Sequence, residues 1–223
     1  WFEVGEGPRL APPLAQADLA GLTPVPERLA PVIETVRKVK AQLSPATTFL
    51  GFAGSPWTVA TYMVAGAGSK DHAAARRLAY GDPVRFGAII AAIVETTVDY
   101  LSAQIEAGVD AVQLFDSWAG SLSPDQFREW VIAPNAAIVA GLKARHPETP
   151  IIGFPKGAGA KLIDYAQGTG VDALGLDETL DPVWAARELP KGMPLPGNLD
   201  PLALIAGGAT LDRAVDTILE ALS

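Results

Sequence analysis

Four short segments gather the residue types that chemistry uses. They are GFAGSPW at 51–57, LFDSWAG at 114–120, GFPKGAG at 153–159 and PGNLDP at 196–201. Each joins glycine to a carboxylate, a hydroxyl, a lysine or an aromatic ring. Glycine permits positive φ and lets a backbone approach a ligand closely. Tight strand-to-helix turns need glycine too, so the odds for any one loop taken alone are roughly even. Four such loops in series favour a site.

Single residues divide in the same way. Asp116 and Ser117 could bind a polar ligand or move a proton, yet either side chain can simply cap the next turn. Tyr62 reads on pattern as a core aromatic with its hydroxyl bonded. Asp200 before Pro201 reads as an N-cap with proline at the first helical position. Lys156 suits an anionic ligand, but a solvated loop lysine is the more economical reading. KGAGAK lacks the spacing of a phosphate loop. His72 and His146 lie in polar contexts and read as surface residues. No Ser–His–Asp set or metal cluster follows from spacing. The absence of cysteine removes disulfides, thiolate metal sites and cysteine nucleophiles, and suits a reducing cytosol.

The elements that must position these loops follow from periodicity. Residues 1–25 are rich in glycine and proline and read as an irregular lead-in. Leu29, Val32, Val36, Val39 and Leu43 recur at three and four, one face of a helix. A strand is expected at 47–52, then a helix at 55–65 with Ser55 as N-cap and Pro56 behind it. Phe86, Ile90, Val94, Val98, Leu101 and Ile105 form a long stripe ending at Gly108. Strands at 109–115, 150–154, 171–176 and 193–198 alternate with helices at 123–146, 159–168, 181–188, 201–206 and 210–222. Ser123 would cap the first of these helices, and Pro134 would kink it. Five apolar strands alternating with helices demand parallel pairing. An open doubly wound sheet and a β/α barrel both satisfy that, and both put chemistry at the carboxyl ends of strands.

Composition bounds the function. The chain has 223 residues, 49% of them apolar, enough to bury a sizeable core. No apolar run reaches about eighteen residues, so no membrane span is expected. A net charge of −8 argues against general nucleic-acid binding, which needs a basic face. It leaves an anionic ligand possible, because a few local cations reverse the sign inside a cleft.

As an ordered set, GFAGSPWTVATYMVAG, QLFDSWAGSLSP, GFPKGAG and GNLDP resemble the uroporphyrinogen decarboxylase family of haem biosynthesis. The likeness runs from FEVGEGP at 2–8 to the final helix. It implies an α/β fold, a (β/α)8 barrel of TIM type, incomplete here because five strands fall short of eight. It implies a single barrel domain over 1–223. It implies removal of CO2 from the four acetate arms of uroporphyrinogen III to give coproporphyrinogen, with no metal and no organic cofactor. A protonated pyrrole accepts the electrons that CO2 leaves behind.

By the resemblance, Tyr62 lines the cleft and contacts substrate, Phe52 and Phe115 form apolar walls, and Ser117 hydrogen-bonds a substrate carboxylate. No catalytic residue is carried over. The family's essential aspartate and paired arginines would lie ahead of Trp1, and its glycine-flanked histidine beyond Ser223. A cytoplasmic homodimer is implied, with no membrane or nucleic-acid partner. Two alternatives stand beside this reading. One is a methyltransferase of the same superfamily, whose zinc is held by cysteine and histidine, which a cysteine-free chain disfavours. The other is a truncated, non-catalytic homologue acting as a binding module.

Overall fold

The computed structural model describes residues 2–3, 7–15, 17–19, 22 and 26–222; the rest of the expected lead-in lies outside the described residues. Strands β1 (Phe2–Glu3) and β2 (Gly7–Pro8) form a two-residue antiparallel pair. A 3-10 turn at Pro26–Leu29 enters helix α1 (Ala30–Lys40). Strand β3 (Leu50–Gly54) leads into α2 (Pro56–Ala65), α3 (Ala73–Gly81) and the long α4 (Pro83–Glu106). Then come β4 (Ala111–Asp116), α5 (Pro124–Phe127), α6 (Ala133–Arg145), β5 (Ile151–Pro155), α7 (Leu162–Thr169) and β6 (Ala173–Leu174). Helices α8 (Pro182–Glu188), α9 (Pro201–Ala206) and α10 (Gly208–Leu222) follow.

The sheet decides between the two layouts. Strands β3, β4, β5 and β6 pair in parallel and in chain order. A doubly wound sheet reverses its order at a switch point and covers both faces; neither holds here. Side chains alternate between faces along a strand. Gly51, Ala53, Val112, Leu114, Asp116, Ile151 and Gly153 are buried on one face, whereas Leu50, Phe52, Gln113, Phe115, Ile152 and Phe154 on the other are open or half-open. A sheet with one covered face and strands in sequence is an arc of a barrel, with the incompletely covered face as its inside.

Behind the sheet, the Trp57 ring meets the edge of Phe86, and Phe86 meets Trp130, at centroid distances of 5.8 and 4.8 Å. The outer edge of β3 is met by a side chain. Buried Gln104 of α4 accepts from the Phe52 N–H at 3.1 Å and donates to the Phe52 carbonyl at 3.0 Å. One amide thus supplies the pairing a neighbouring strand would give, and blunts an open edge. The lead-in is tied to α2 through Leu10 N–H to Gly66 O and Leu14 N–H to Met63 O, both 2.9 Å. Helix α4 is long and apolar enough to cross a membrane, but it packs as a core helix, with Phe86, Ile89, Ile90, Ile93, Val98 and Leu101 buried.

Three expectations need correction. The strand expected at 193–198 forms no two-way ladder. Leu174 and Leu176 donate to the carbonyls of Pro194 and Pro196 at 3.0 and 2.9 Å, but Pro196 has no N–H to return. The segment runs beside β6 and accepts only. Neither Ser55 nor Ser123 caps its helix with a side chain. The Ser55 hydroxyl, fully buried, donates instead to Asn135 Oδ1 of α6 at 3.0 Å, and that of Ser123 meets Tyr80 at 3.2 Å. The break expected at Pro134 is taken up just ahead of it, as a π turn over Arg128–Ile132 with Ala133 N–H bonded to Arg128 O.

Candidate active site

The carboxyl ends of the parallel strands form one rim, and the four loops singled out by sequence all lie on it or beside it. Hydrogen bonds lace them together. Lys156 N–H donates to Asp116 O and Gly120 N–H to Lys156 O, both at 3.0 Å. A Cβ on Gly120 would sit 2.5 Å from the Gly157 carbonyl oxygen, so the β4 and β5 loops can touch only because that residue is glycine. Lys161 Nζ donates to Leu122 O at 2.7 Å. Asp177 closes the next junction, accepting from Gly157 N–H at 2.8 Å, from Thr179 N–H at 3.0 Å and from the Thr179 hydroxyl. Asn198 Nδ2 donates to Asp177 O and Leu180 O at 3.2 and 2.6 Å, pinning GNLDP to the rim. Burial by itself would raise the Asp177 carboxyl, but its bonds to Thr179 and Gly157 and the Lys156 charge hold it below the usual carboxylate range.

Below the rim the inner face carries three phenylalanines. Phe52 meets Phe115 edge to face at 5.9 Å between centroids, and Phe115 meets Phe154 at 5.6 Å. Phe52 is 61% exposed, so this aromatic row presents open surface. A cavity of about 400 Å³ adjoins it, walled by Phe52, Val59, Met63, Ile93 and Tyr100 among others. Phe154 was within a motif singled out by sequence yet was not named. Period-two alternation places it in register opposite Phe115, a signal strong enough to have found it.

Tyr62 and Ser117 stand apart from that cavity. Tyr62, half-buried, lines a separate rim cleft with Gly68, Ser69, Lys70 and Trp118. Ser117, half-buried, sits at the end of β4, and among the described residues its hydroxyl takes no partner. The structure thus groups Phe52 with Phe115 and brings Tyr62 beside Trp118, the residue after Ser117. It does not gather all four into one pocket.

Three other sequence expectations change. Asp116 is no surface cap. It shares the buried face with Val112 and Leu114, is fully enclosed, and accepts from the Thr58 hydroxyl at 2.6 Å. Burial pushes its carboxyl up to about 7, against the pull of the Thr58 hydrogen bond. His72 is no surface residue either. It is buried in the left-handed region (φ 52°), with its ring 4.8 Å from that of Trp118, and burial holds it below the usual imidazole range although Asp71 opposes this. His146 is half-buried, with its Nε2 enclosed. By contrast, Asp200 caps α9 as expected, accepting from Leu202 N–H at 2.8 Å, and Lys156 pairs with Glu178 at 2.9 Å.

The family model described as Uroporphyrinogen decarboxylase (URO-D) matches residues 1–223. A curated uroporphyrinogen decarboxylase of Sphingopyxis alaskensis is 71% identical over 221 residues, covering 99% of this chain and 65% of that protein. One from Rhizorhabdus wittichii is 66% identical over 220 residues, covering 99% and 64%. The chain therefore spans a little under two thirds of the length of these relatives. Among solved structures, a methyltransferase from Methanosarcina mazei superposes with a TM-score of 0.78 at 18% identity, covering 96% of this chain and 62% of that one. At that identity the likeness concerns the fold alone. With the family model matched from end to end, the chain belongs to the uroporphyrinogen decarboxylase family.

Proposed function

We propose that this chain supplies the substrate-holding rim and apolar wall of an enzyme that decarboxylates the four acetate arms of uroporphyrinogen III. The observation that carries the proposal is the row Phe52–Phe115–Phe154 on the open inner face, lying below a rim of hydroxyls and glycine loops. A flexible tetrapyrrole has apolar pyrrole faces and a carboxylate periphery. An aromatic floor takes the first and polar rim groups take the second. Each cycle protonates a pyrrole, which becomes the electron sink. The C–CO2 bond breaks, its electron pair moves toward the ring, CO2 leaves, the methylene carbon takes up a proton to become methyl, and the ring gives up the proton it had gained, so each cycle consumes one proton. Holding the ring so that the breaking bond stands across the pyrrole plane is the contribution asked of these residues.

Within this reading Phe52 and Phe115 position the macrocycle, and Ser117 and Tyr62 reach its carboxylates from the rim. A cytosolic homodimer belongs to the same reading, supported by the cysteine-free composition for the first term and by the family resemblance for the second. A ligand that is not nucleic acid is supported by the net charge of −8. The test is steady-state kinetics on uroporphyrinogen III with the full gene product, comparing Ser117→Ala and Phe115→Ala with the native protein. Loss of one hydrogen bond to a charged group, about 1.5–3 kcal/mol, predicts KM or kcat/KM worse by about ten- to a hundredfold for Ser117→Ala. Kinetics unchanged in both variants would remove the rim and the wall from the site.

A further inference from the structure

Behind the rim, and outside the substrate surface just described, lies a buried polar group with two loose ends. Asp116 and Tyr165 are both fully enclosed, the first at the end of β4 and the second on α7. Asp116 Oδ1 has its partner in Thr58. Asp116 Oδ2 and the Tyr165 hydroxyl have none among the described residues. The N–H groups of Thr58 and Trp118 and the Asn135 amide lie close enough to favour the charged acid without closing a hydrogen bond to Oδ2. A buried polar atom left unpaired is rare in native proteins and asks for an explanation.

The direction of each hydrogen bond follows from the donors. Trp118 N–H donates to Thr58 Oγ1 at 3.3 Å, so the hydroxyl hydrogen of Thr58 goes to Asp116 Oδ1. Oδ1 is then an acceptor, and a proton on the carboxyl group would sit on Oδ2. Among the described residues Tyr165 is a titratable group that feels Asp116: burial first, and the Asp116 charge second, push its hydroxyl up. Tyr165 reaches this place because residue 153 is glycine, whose absent Cβ would fall 2.7 Å from the Tyr165 hydroxyl. The backbone of the same turn is held on its other side by Lys156 N–H on Asp116 O and by Trp57 Nε1 on Trp118 O at 3.1 Å. Ser117 is the middle residue of that turn.

We propose that Asp116 is a positioning residue of the site, acting as a neutral carboxylic acid: through Thr58 it fixes the 116–118 turn that presents Ser117, and its Oδ2 proton reaches the Tyr165 hydroxyl through one bridging water. The role given to Ser117 rests on the decarboxylase reading; the state of Asp116 does not. Ionising the acid tightens its bond to Thr58 but leaves a buried charge whose Oδ2 no described residue pairs; the end of the strand opens to hydrate that charge, the turn loses its fixed position, and substrate binding weakens as pH rises.

Two measurements on the full gene product test this. The first is the infrared difference spectrum between mildly acidic and alkaline pH. A protonated-carboxyl C=O band present in the native protein, lost on the alkaline side and absent from Asp116→Asn is expected. No such band would overturn the proposal whatever the enzyme's activity. The second is KM for uroporphyrinogen III against pH. Native KM rises with pH, that of Asp116→Asn does not, and Thr58→Val, which keeps the shape but removes the link, raises KM about tenfold with a smaller change in kcat. A merely structural role would lower the unfolding midpoint of these variants and leave KM and its pH dependence as in the native protein, and that result would overturn the positioning role. If the infrared band behaves as stated but no decarboxylation occurs, the decarboxylase reading fails and the buried acid stands.

Discussion

Replacing Asp116 by asparagine should change the pH dependence of stability in a calculable way. The carboxyl titrates near 7 in the folded chain against 3.8 when exposed, and burial is the first cause. Below pH 3.8 both states are protonated, and the group imposes no penalty on the fold. As pH rises from 3.8 to about 7 the unfolded chain gives up its proton first, so the folded state loses relative stability. Above about 7 both are ionised and the loss is complete. The gap is about three pKa units at 1.36 kcal/mol each, about 4 kcal/mol in all. Between about pH 5 and about pH 8.5 roughly two of those units are crossed, about 3 kcal/mol. Asparagine keeps an oxygen for Thr58 and carries no charge at any pH. Urea unfolding of native and Asp116→Asn protein at the two pH values gives the difference between them, from which other titrations cancel. That difference should move by about 3 kcal/mol in favour of asparagine on going alkaline. A difference constant to within about 0.5 kcal/mol would refute the buried, neutral acid.

Two further perturbations test the framework around the site. Gly153→Ala puts a Cβ 2.6 Å from the ring of fully buried Tyr165, so it should destabilise by about 1–3 kcal/mol in thermal or urea unfolding, and adding Tyr165→Phe should recover only part, because a ring carbon clashes as well as the hydroxyl. Gln104→Leu removes the amide that satisfies the Phe52 N–H and carbonyl at the β3 edge, and should cost about 1–3 kcal/mol while exposing that edge to aggregation, seen by light scattering.

How much of this was legible beforehand depends on what each feature requires. Helix α4 and strands β3 to β5 follow from period, because Phe86 to Leu101 recur at three and four and the strands are short apolar runs bounded by turns. The barrel did not follow from period, since alternation allows two layouts; the strand order and the one-sided burial of the sheet decide it. The fifth strand looked like its fellows by composition, but pairing depends on N–H groups, and Pro196 has none. Helix α3 carried no stripe of large apolar residues for its period to register: its buried positions are the small Ala75 and Ala79.

The site divides along the same line. Rim loops are readable because glycine, proline and polar residues punctuate strand ends. Which face a strand-end residue takes needs its parity, and counting back from Asp116 through Leu114 to Val112 puts that carboxylate behind the sheet instead of in the cleft. Phe154 follows from the same count. His72 was misread because its polar neighbours Lys70 and Asp71 suggested solvent, whereas its burial comes from Trp118, forty-six positions away. Tyr165 and Asp177 matter through contacts between strand ends, and no local pattern marks them; Thr58 and Asn198 lie within quoted motifs, but their partners Asp116 and Asp177 are distant in sequence.

The most direct test of the central claim is incubation of the full gene product with uroporphyrinogen III under reducing, anaerobic conditions, with no added metal or cofactor. Products are separated by carboxyl number after oxidation. The account predicts stepwise loss of four carboxyl groups to the tetracarboxylic coproporphyrinogen, slowed at low substrate by Ser117→Ala and by Phe115→Ala. Recovery of unchanged octacarboxylic substrate from a folded gene product would contradict it.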